Sequence, residues 1–217
     1  TVKSGQKVAI VGPTGAGKTT LINLLMRFYD ADGGSILVDG VDTKEMTRHE
    51  LRDRFGMVLQ DAWLFEGSIR DNIAYAQDNL PEEKIIAAAR SASVDSFIKT
   101  LPGGYDFELS TGAENISQGQ RQLLTIARAM ASDPEIMILD EATSNVDTHT
   151  EQLIQKALAK LMHGRTSFVI AHRLSTIRDA DMILYMEHGD ILEHGSHEEL
   201  MAQHGKYEAL YMSQFAQ

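Results

Sequence analysis

Nine consecutive residues, Gly12-Pro13-Thr14-Gly15-Ala16-Gly17-Lys18-Thr19-Thr20, constrain this chain more than any others. They fit the spacing G-x-x-x-x-G-K-[S/T]. Ahead of them runs Lys7-Val8-Ala9-Ile10-Val11, an apolar stretch that reads as a buried strand. Behind them, Leu21 to Phe28 repeats its apolar positions at helical spacing. A strand, a glycine loop and a helix in that order make a phosphate-binding loop. Glycines let successive backbone N–H groups converge on an anion, and the start of the helix adds a favourable dipole. In such a loop Lys18 reaches the β- and γ-phosphates and the Thr19 hydroxyl holds Mg²⁺.

The chain has 217 residues, enough for one sizeable α/β domain with its own core. Its formal charge of −11 offers no basic footprint for nucleic acid. It contains no cysteine, which excludes a disulfide framework and thiol chemistry. No apolar run approaches the length of a membrane span, and no signal peptide is visible. The first strand begins almost at Thr1, so the sequence is expected to be a piece of something longer.

Along the chain, Gly33 to Gly40 predicts a short strand between turns, and Met57-Val58-Leu59-Gln60 a second apolar run. Pro81 opens a helix through Ala89, Val94 to Lys99 forms another, and Gly119 to Met130 a third. Ile136 to Leu139 and Ser167 to Ala171 read as buried strands. Met182 to Met186 and Asp190 to Glu193 flank a Gly189 turn and suggest a hairpin. Glu198 to Phe215 is helical with a break near Gly205. Arg48 to Arg54 reads as a charged helical face. His188, His194, His197 and His204 read as solvated surface histidines rather than a metal cluster. Trp63-Leu64-Phe65 divides evenly between ordinary core and a docking surface.

Two further constellations carry chemistry. The apolar run Ile136 to Leu139 delivers Asp140 and Glu141 at its C-terminal end, the edge where parallel α/β sheets place their ligands. Asp140 suits Mg²⁺, directly or through water, and Glu141 suits proton acceptance from an attacking water. Asn115-Ile116-Ser117-Gln118-Gly119-Gln120 opens an amphipathic helix with Ser117 as a natural N-cap. Read alone, that segment is a plain helix start, although helix starts also bind anions.

Taken together, these segments resemble the ATP-binding-cassette ATPase family. Gly12 to Thr19 matches its Walker A motif and Ile136 to Asp140 its Walker B, with Glu141 at the catalytic glutamate. Ile116-Ser117-Gln118-Gly119-Gln120 matches the signature L-S-G-G-Q, with Ile for Leu and Gln118 for the first Gly. Gln60 matches the Q-loop glutamine, Ser144-Asn145-Val146-Asp147 the D-loop, and His172 the switch histidine. The stretches Phe55 to Ile73, Ala171 to Asp181 and Gly195 to Leu200 resemble the exporter branch, the multidrug, lipid and peptide exporters.

The resemblance implies a P-loop NTPase (RecA-like) core with a parallel sheet plus a helical subdomain. The expected lobes are about 1–60 with 131–217, and about 61–130. The family's first antiparallel strands and its adenine-stacking aromatic are expected to lie outside this sequence. The implied cofactors are ATP and Mg²⁺. The implied partners are a second cassette, paired head to tail through nucleotide, and a transmembrane domain of the same transporter, with no nucleic acid. The domain itself would be soluble, at the cytoplasmic face of the membrane. Gly12 to Thr20 would hold the phosphates, and Thr19, Gln60 and Asp140 the metal. Ser117, Gly119, Gln120 and Asp147 would act across the pair, with Glu141 and His172 catalytic. Two other readings are a repair or translation member of the superfamily, and a silent nucleotide-binding regulator. A repair member would carry long coiled-coil insertions, which this sequence does not contain, a translation member would carry a second cassette that the full-length gene would show, and the regulator is opposed by the presence of Glu141 and His172.

Overall fold

β1 (Lys7–Val11) is fully buried over Val8, Ala9 and Ile10, because it runs between two parallel neighbours and is covered on both faces. The structure is a computed structural model that describes residues 1–59, 63–75, 77, 79–140, 146–171 and 173–215. After β1 come α1 (Lys18–Leu25), β2 (Leu37–Val38), β3 (Val41–Asp42), α2 (Arg48–Asp53), β4 (Phe55–Val58) and β5 (Gly67–Ser68). Then follow α3 (Ile69–Ile73), α4 (Glu82–Ser91), α5 (Asp95–Ile98), β6 (Glu108–Leu109) and α6 (Gln118–Ser132). The remainder is β7 (Ile136–Asp140), α7 (Thr148–Met162), β8 (Thr166–Ile170), α8 (Leu174–Arg178), β9 (Met182–Glu187), β10 (Asp190–Gly195), α9 (His197–Ala202) and α10 (Lys206–Phe215).

The chain divides into two compact units. The first comprises residues 1–55, 135–142 and 164–217. Its strands run β10-β9-β1-β8-β7, parallel throughout except for the antiparallel edge strand β10. This is the expected α/β class with a parallel sheet. The register aligns Ile10 with Ile170 and Ile170 with Asp140, so β1, β8 and β7 end level at their C-terminal edge. The hairpin turns through His188 (φ 51°) and Gly189 (φ 88°), the pair of left-handed residues that suits a two-residue loop. β2 and β3 turn the same way through Asp39 and Gly40, both at positive φ, so the single strand expected over 33–40 is half of a short hairpin.

α1 starts at Lys18, three residues before the apolar periodicity, because Gly17 caps it in a left-handed conformation. It stops at Leu25 rather than Phe28 because Arg27 turns left-handed (φ 53°). The Arg27 guanidinium then bonds to the carbonyls of Thr43 (2.9 Å) and Met46 (2.8 Å), which holds the chain out of the helix. The C-terminal helices break around His204 (φ 52°) and Gly205, as expected. Glu193 accepts the N–H groups of Lys206 (2.7 Å) and Tyr207 (2.9 Å) and so caps α10. His197 is not a plain surface histidine. Its Nδ1 bonds the hydroxyl of the buried Tyr207 at 2.8 Å.

The second unit comprises residues 56–134 and 143–163 and is mainly helical. α6 buries Leu123, Leu124, Ile126 and Ala127, the stripe expected of an amphipathic helix. Beneath it, Arg128 donates to the Asn72 carbonyl (2.8 Å), Asn72 Oδ1 (2.9 Å) and the Trp63 carbonyl (3.1 Å). Asn72, fully buried, also bonds Phe65 and Ser68 and is thereby satisfied. The guanidinium lies 4.8 Å from the Tyr75 ring centroid and 5.9 Å from that of Trp63. Trp63 is exposed and Leu64 buried, so the Trp63-Leu64-Phe65 segment serves surface and core at once. Among the described residues no helix is long and apolar enough to cross a membrane, and no group of side chains is placed to hold a metal by itself.

Candidate functional site

The loop from Gly12 to Gly17 is shaped by what presses on it from below. A Cβ on Gly12 (φ 149°) would lie 2.1 Å from the Met186 carbonyl oxygen of β9, so only glycine fits there. A Cβ on Gly17 would meet the Gly189 Cα at 3.3 Å. The Gly189 N–H donates to the Ala16 carbonyl at 2.9 Å, and the Ala16 N–H closes back on Pro13 at 3.1 Å. Gly15 (φ 80°) faces open space instead, at the outer curve of the loop. Pro13, Thr14 and Gly15 are exposed, and so are Thr19 and Thr20.

Beyond the loop, α1 begins without a side-chain cap and without an acidic residue in its first turn. α2, α3, α6, α7 and α9 are capped by Thr47, Ser68, Ser117, Asp147 and Ser196. A helix start that offers bare N–H groups and no carboxylate is matched to an external anion. Lys18 Nζ meanwhile donates to the loop's own Gly12 (2.7 Å) and Pro13 (3.0 Å) carbonyls. Partial burial holds its pKa below the usual lysine value, and the charge of Asp140 works against that fall. Asp140 is the last residue of β7, so the C-terminal edge of the sheet brings a cation and an anion to one place.

The second cluster lies in the other unit. Ser117 accepts the Gln120 N–H at 3.3 Å, and Gln120 Oε1 accepts the Ser117 N–H at 2.9 Å, a reciprocal capping box. The Ser117 hydroxyl proton remains for an outside acceptor. Asp147 caps α7 through the Thr150 N–H at 3.0 Å, and these bonds from Thr150 hold its carboxyl below the usual range. Gly119 is buried where a Cβ would fall 2.3 Å from Thr150 Cγ2 and 3.1 Å from Val146 Cγ1.

Gly12 to Thr20 and Asp140 are thus assembled in one unit. Ser117, Gly119, Gln120 and Asp147 are assembled in the other. Gln60, Glu141, Ser144, Asn145 and His172 lie outside the described residues. Reading the sequence missed the supports: Met186 and Gly189 under the phosphate loop, and Thr150 beside Gly119. The G-D dipeptide at 189–190 marked a turn, but nothing in it told which loop the turn would meet.

The ABC transporter family model matches residues 1–144. An uncharacterized ABC transporter ATP-binding protein of Bacillus subtilis, YfiC, is 55% identical over 99% of this chain and 36% of its own length. A fatty acid ABC transporter ATP-binding/permease protein of Mycobacterium bovis is 58% identical over 94% of this chain and 32% of its own. An ATP-dependent lipid A-core flippase of Desulfotalea psychrophila is 51% identical over 98% and 37%. Among solved structures, a bacterial Atm1-family ABC exporter with ATP bound superposes with a TM-score of 0.90 at 44% identity, covering all of this chain and 38% of that one. The chain therefore spans about a third of the length of these relatives. With a phosphate loop, an acid-tipped strand and a capped signature helix in the family's order, this chain belongs to the ABC transporter family, as an ATP-binding domain of its exporter branch.

Proposed function

We propose that this chain binds ATP with Mg²⁺, hydrolyses it to ADP and phosphate, and in doing so drives export through transmembrane domains on the same transporter. The observation that carries this is the start of α1, uncapped and free of acid behind a glycine loop, with Lys18 resting on loop carbonyls. Those two carbonyls are weak substitutes for phosphate oxygens. When a triphosphate arrives, Lys18 exchanges them for the β- and γ-phosphates, and the loop N–H groups close on the same anion. Thr19, Asp140 and Gln60 would hold Mg²⁺, whose charge offsets that of the phosphates. The donor set fits the ion, being a hydroxyl, a carboxylate and an amide oxygen.

Glu141 accepts the proton of the attacking water, and His172 contacts the γ-phosphate and helps align it. The phosphate-binding lobe is about 1–60 and 131–217 and the helical lobe about 61–130, with the difference that 143–163 groups with the helical unit. The second half of the site comes from another cassette, paired head to tail. Its Ser117 hydroxyl, Gly119 N–H and α6 start cap the γ-phosphate, with Gln120 holding Ser117 and Asp147 the neighbouring turn. Loss of the γ-phosphate removes the group common to both halves, so the pair opens. The domain works at the cytoplasmic face of the membrane.

The test is a pair of variants. Glu141→Gln is expected to retain ATP, accumulate as a pair of cassettes and lose turnover by at least about a hundredfold. Lys18→Ala is expected to lose ATP retention. A Glu141→Gln chain that hydrolyses ATP at the normal rate, or a Lys18→Ala chain that binds it undiminished, would overturn the proposal.

A further inference from the structure

Gly119 has a neighbour that leaves no room for a side chain, and that neighbour belongs to its own domain. Its Cα faces the methyl of Thr150, at the third residue of α7, and Val146 just ahead of the Asp147 cap. A Cβ built there would lie 2.3 Å from Thr150 Cγ2, whereas ordinary contact begins near 3.4 Å. Something would have to move by about 1 Å. Thr150 cannot easily yield, because the Asp147 carboxylate accepts both its N–H, at 3.0 Å, and its side-chain hydroxyl, which fixes where the methyl points. α6 cannot easily yield either, since its buried stripe begins at Gly119 and continues through Gln122, Leu123 and Leu124.

We propose that Thr150 is a positioning residue for the start of α6, and that Gly119 is glycine because the Thr150 methyl and Val146 occupy the place of its side chain. The packing sets how far α6 projects and where the Ser117 hydroxyl and the Gly119 N–H point. It also ties two segments that sequence reading treats as separate motifs, so a shift at 146–150 moves 117–119 with it. The effect on turnover rests on the ATPase reading above; the packing does not. The alternative explanation of Gly119 is that a side chain there would collide with nucleotide held by the other cassette.

These explanations separate by rescue. Gly119→Ala is expected to melt about 5 °C lower than the wild-type chain. It should lose at least about tenfold in ATP turnover while its affinity for ATP, set by the phosphate loop, changes little. Thr150→Ser deletes only the obstructing methyl and keeps the hydroxyl and the capped N–H. The Gly119→Ala/Thr150→Ser double variant should recover most of both losses. If Gly119→Ala does not fold, a folded double variant is the same result. A double variant no better than Gly119→Ala in melting and in turnover overturns the proposal. A wild-type chain without ATPase activity would sink the functional reading and leave the melting comparison standing.

Discussion

Replacing Arg128 by Met tests the central clasp of the helical unit. The substitution keeps a flexible apolar stem and removes three hydrogen bonds, to both oxygens of Asn72 and to the Trp63 carbonyl. Each bond from a charged donor is worth about 1.5 kcal/mol net. The cation–ring contact at 4.8 Å to Tyr75 adds about 0.5 to 1 kcal/mol. Burial lowers the pKa of this guanidinium, which shows that the charge sits there at a cost, and its removal returns part of the loss. The expected net destabilisation is about 3 kcal/mol, or about 6–12 °C in melting temperature for a chain of this size. The assay is built in, because Trp63 is the single tryptophan and its carbonyl is one of the lost partners. Its emission intensity should change in the folded state, because the guanidinium 5.9 Å from the ring is gone, and should report the earlier melt. Arg128→Lys keeps the charge but not the fork, and should fall between the two. An Arg128→Met chain that melts within about 2 °C of wild type with unchanged emission would refute the reasoning.

Two further outcomes follow from the same geometry. Gly12→Ala places a methyl against the Met186 carbonyl at a positive φ, and is expected to cost about 3 kcal/mol and abolish ATP retention, measured by melting and nucleotide binding. Asp95 is held below the usual carboxylate range, first by the Lys99 ammonium and then by the Tyr105 hydroxyl. Its folded pKa is depressed, so its stabilisation is present above about pH 4 and is lost as pH falls through the folded value. Melting temperatures of Asp95→Asn should therefore start below wild type at pH 7 and draw closer to it as pH falls below about 4, and a constant gap would contradict this.

The phosphate loop, Asp140 and the α6 cap were legible because each is local: a turn, a strand end, a helix start. The hairpin at Gly189 and the break at Gly205 were legible for the same reason. α7 was not recognised, although Ile154, Ala157, Leu158 and Leu161 repeat at helical spacing behind the Asp147 cap. The D-loop resemblance ends at Asp147 and carries no information about the helix behind it. α3 is only five residues long and its fold depends on Asn72, whose partners Phe65 and Ser68 lie ahead of it and Arg128 on α6. The contacts of Gly12 with Met186 and of Gly119 with Thr150 join residues far apart in the chain, and no spacing rule reports them. Local signals thus pointed to the candidate residues, while the close contacts at Gly12 and Gly119 came only from tertiary packing.

The bond from the Gly189 N–H to the Ala16 carbonyl has a consequence for how nucleotide is felt elsewhere. It fastens the cradle to the turn joining β9 to the outermost strand, from which α9 and α10 continue. Fraying of that outer ribbon would slacken the cradle, and an occupied cradle must in return quieten the ribbon and the helices it carries. Amide exchange along 186–195 should slow when the triphosphate is bound, at a distance from any atom that touches it.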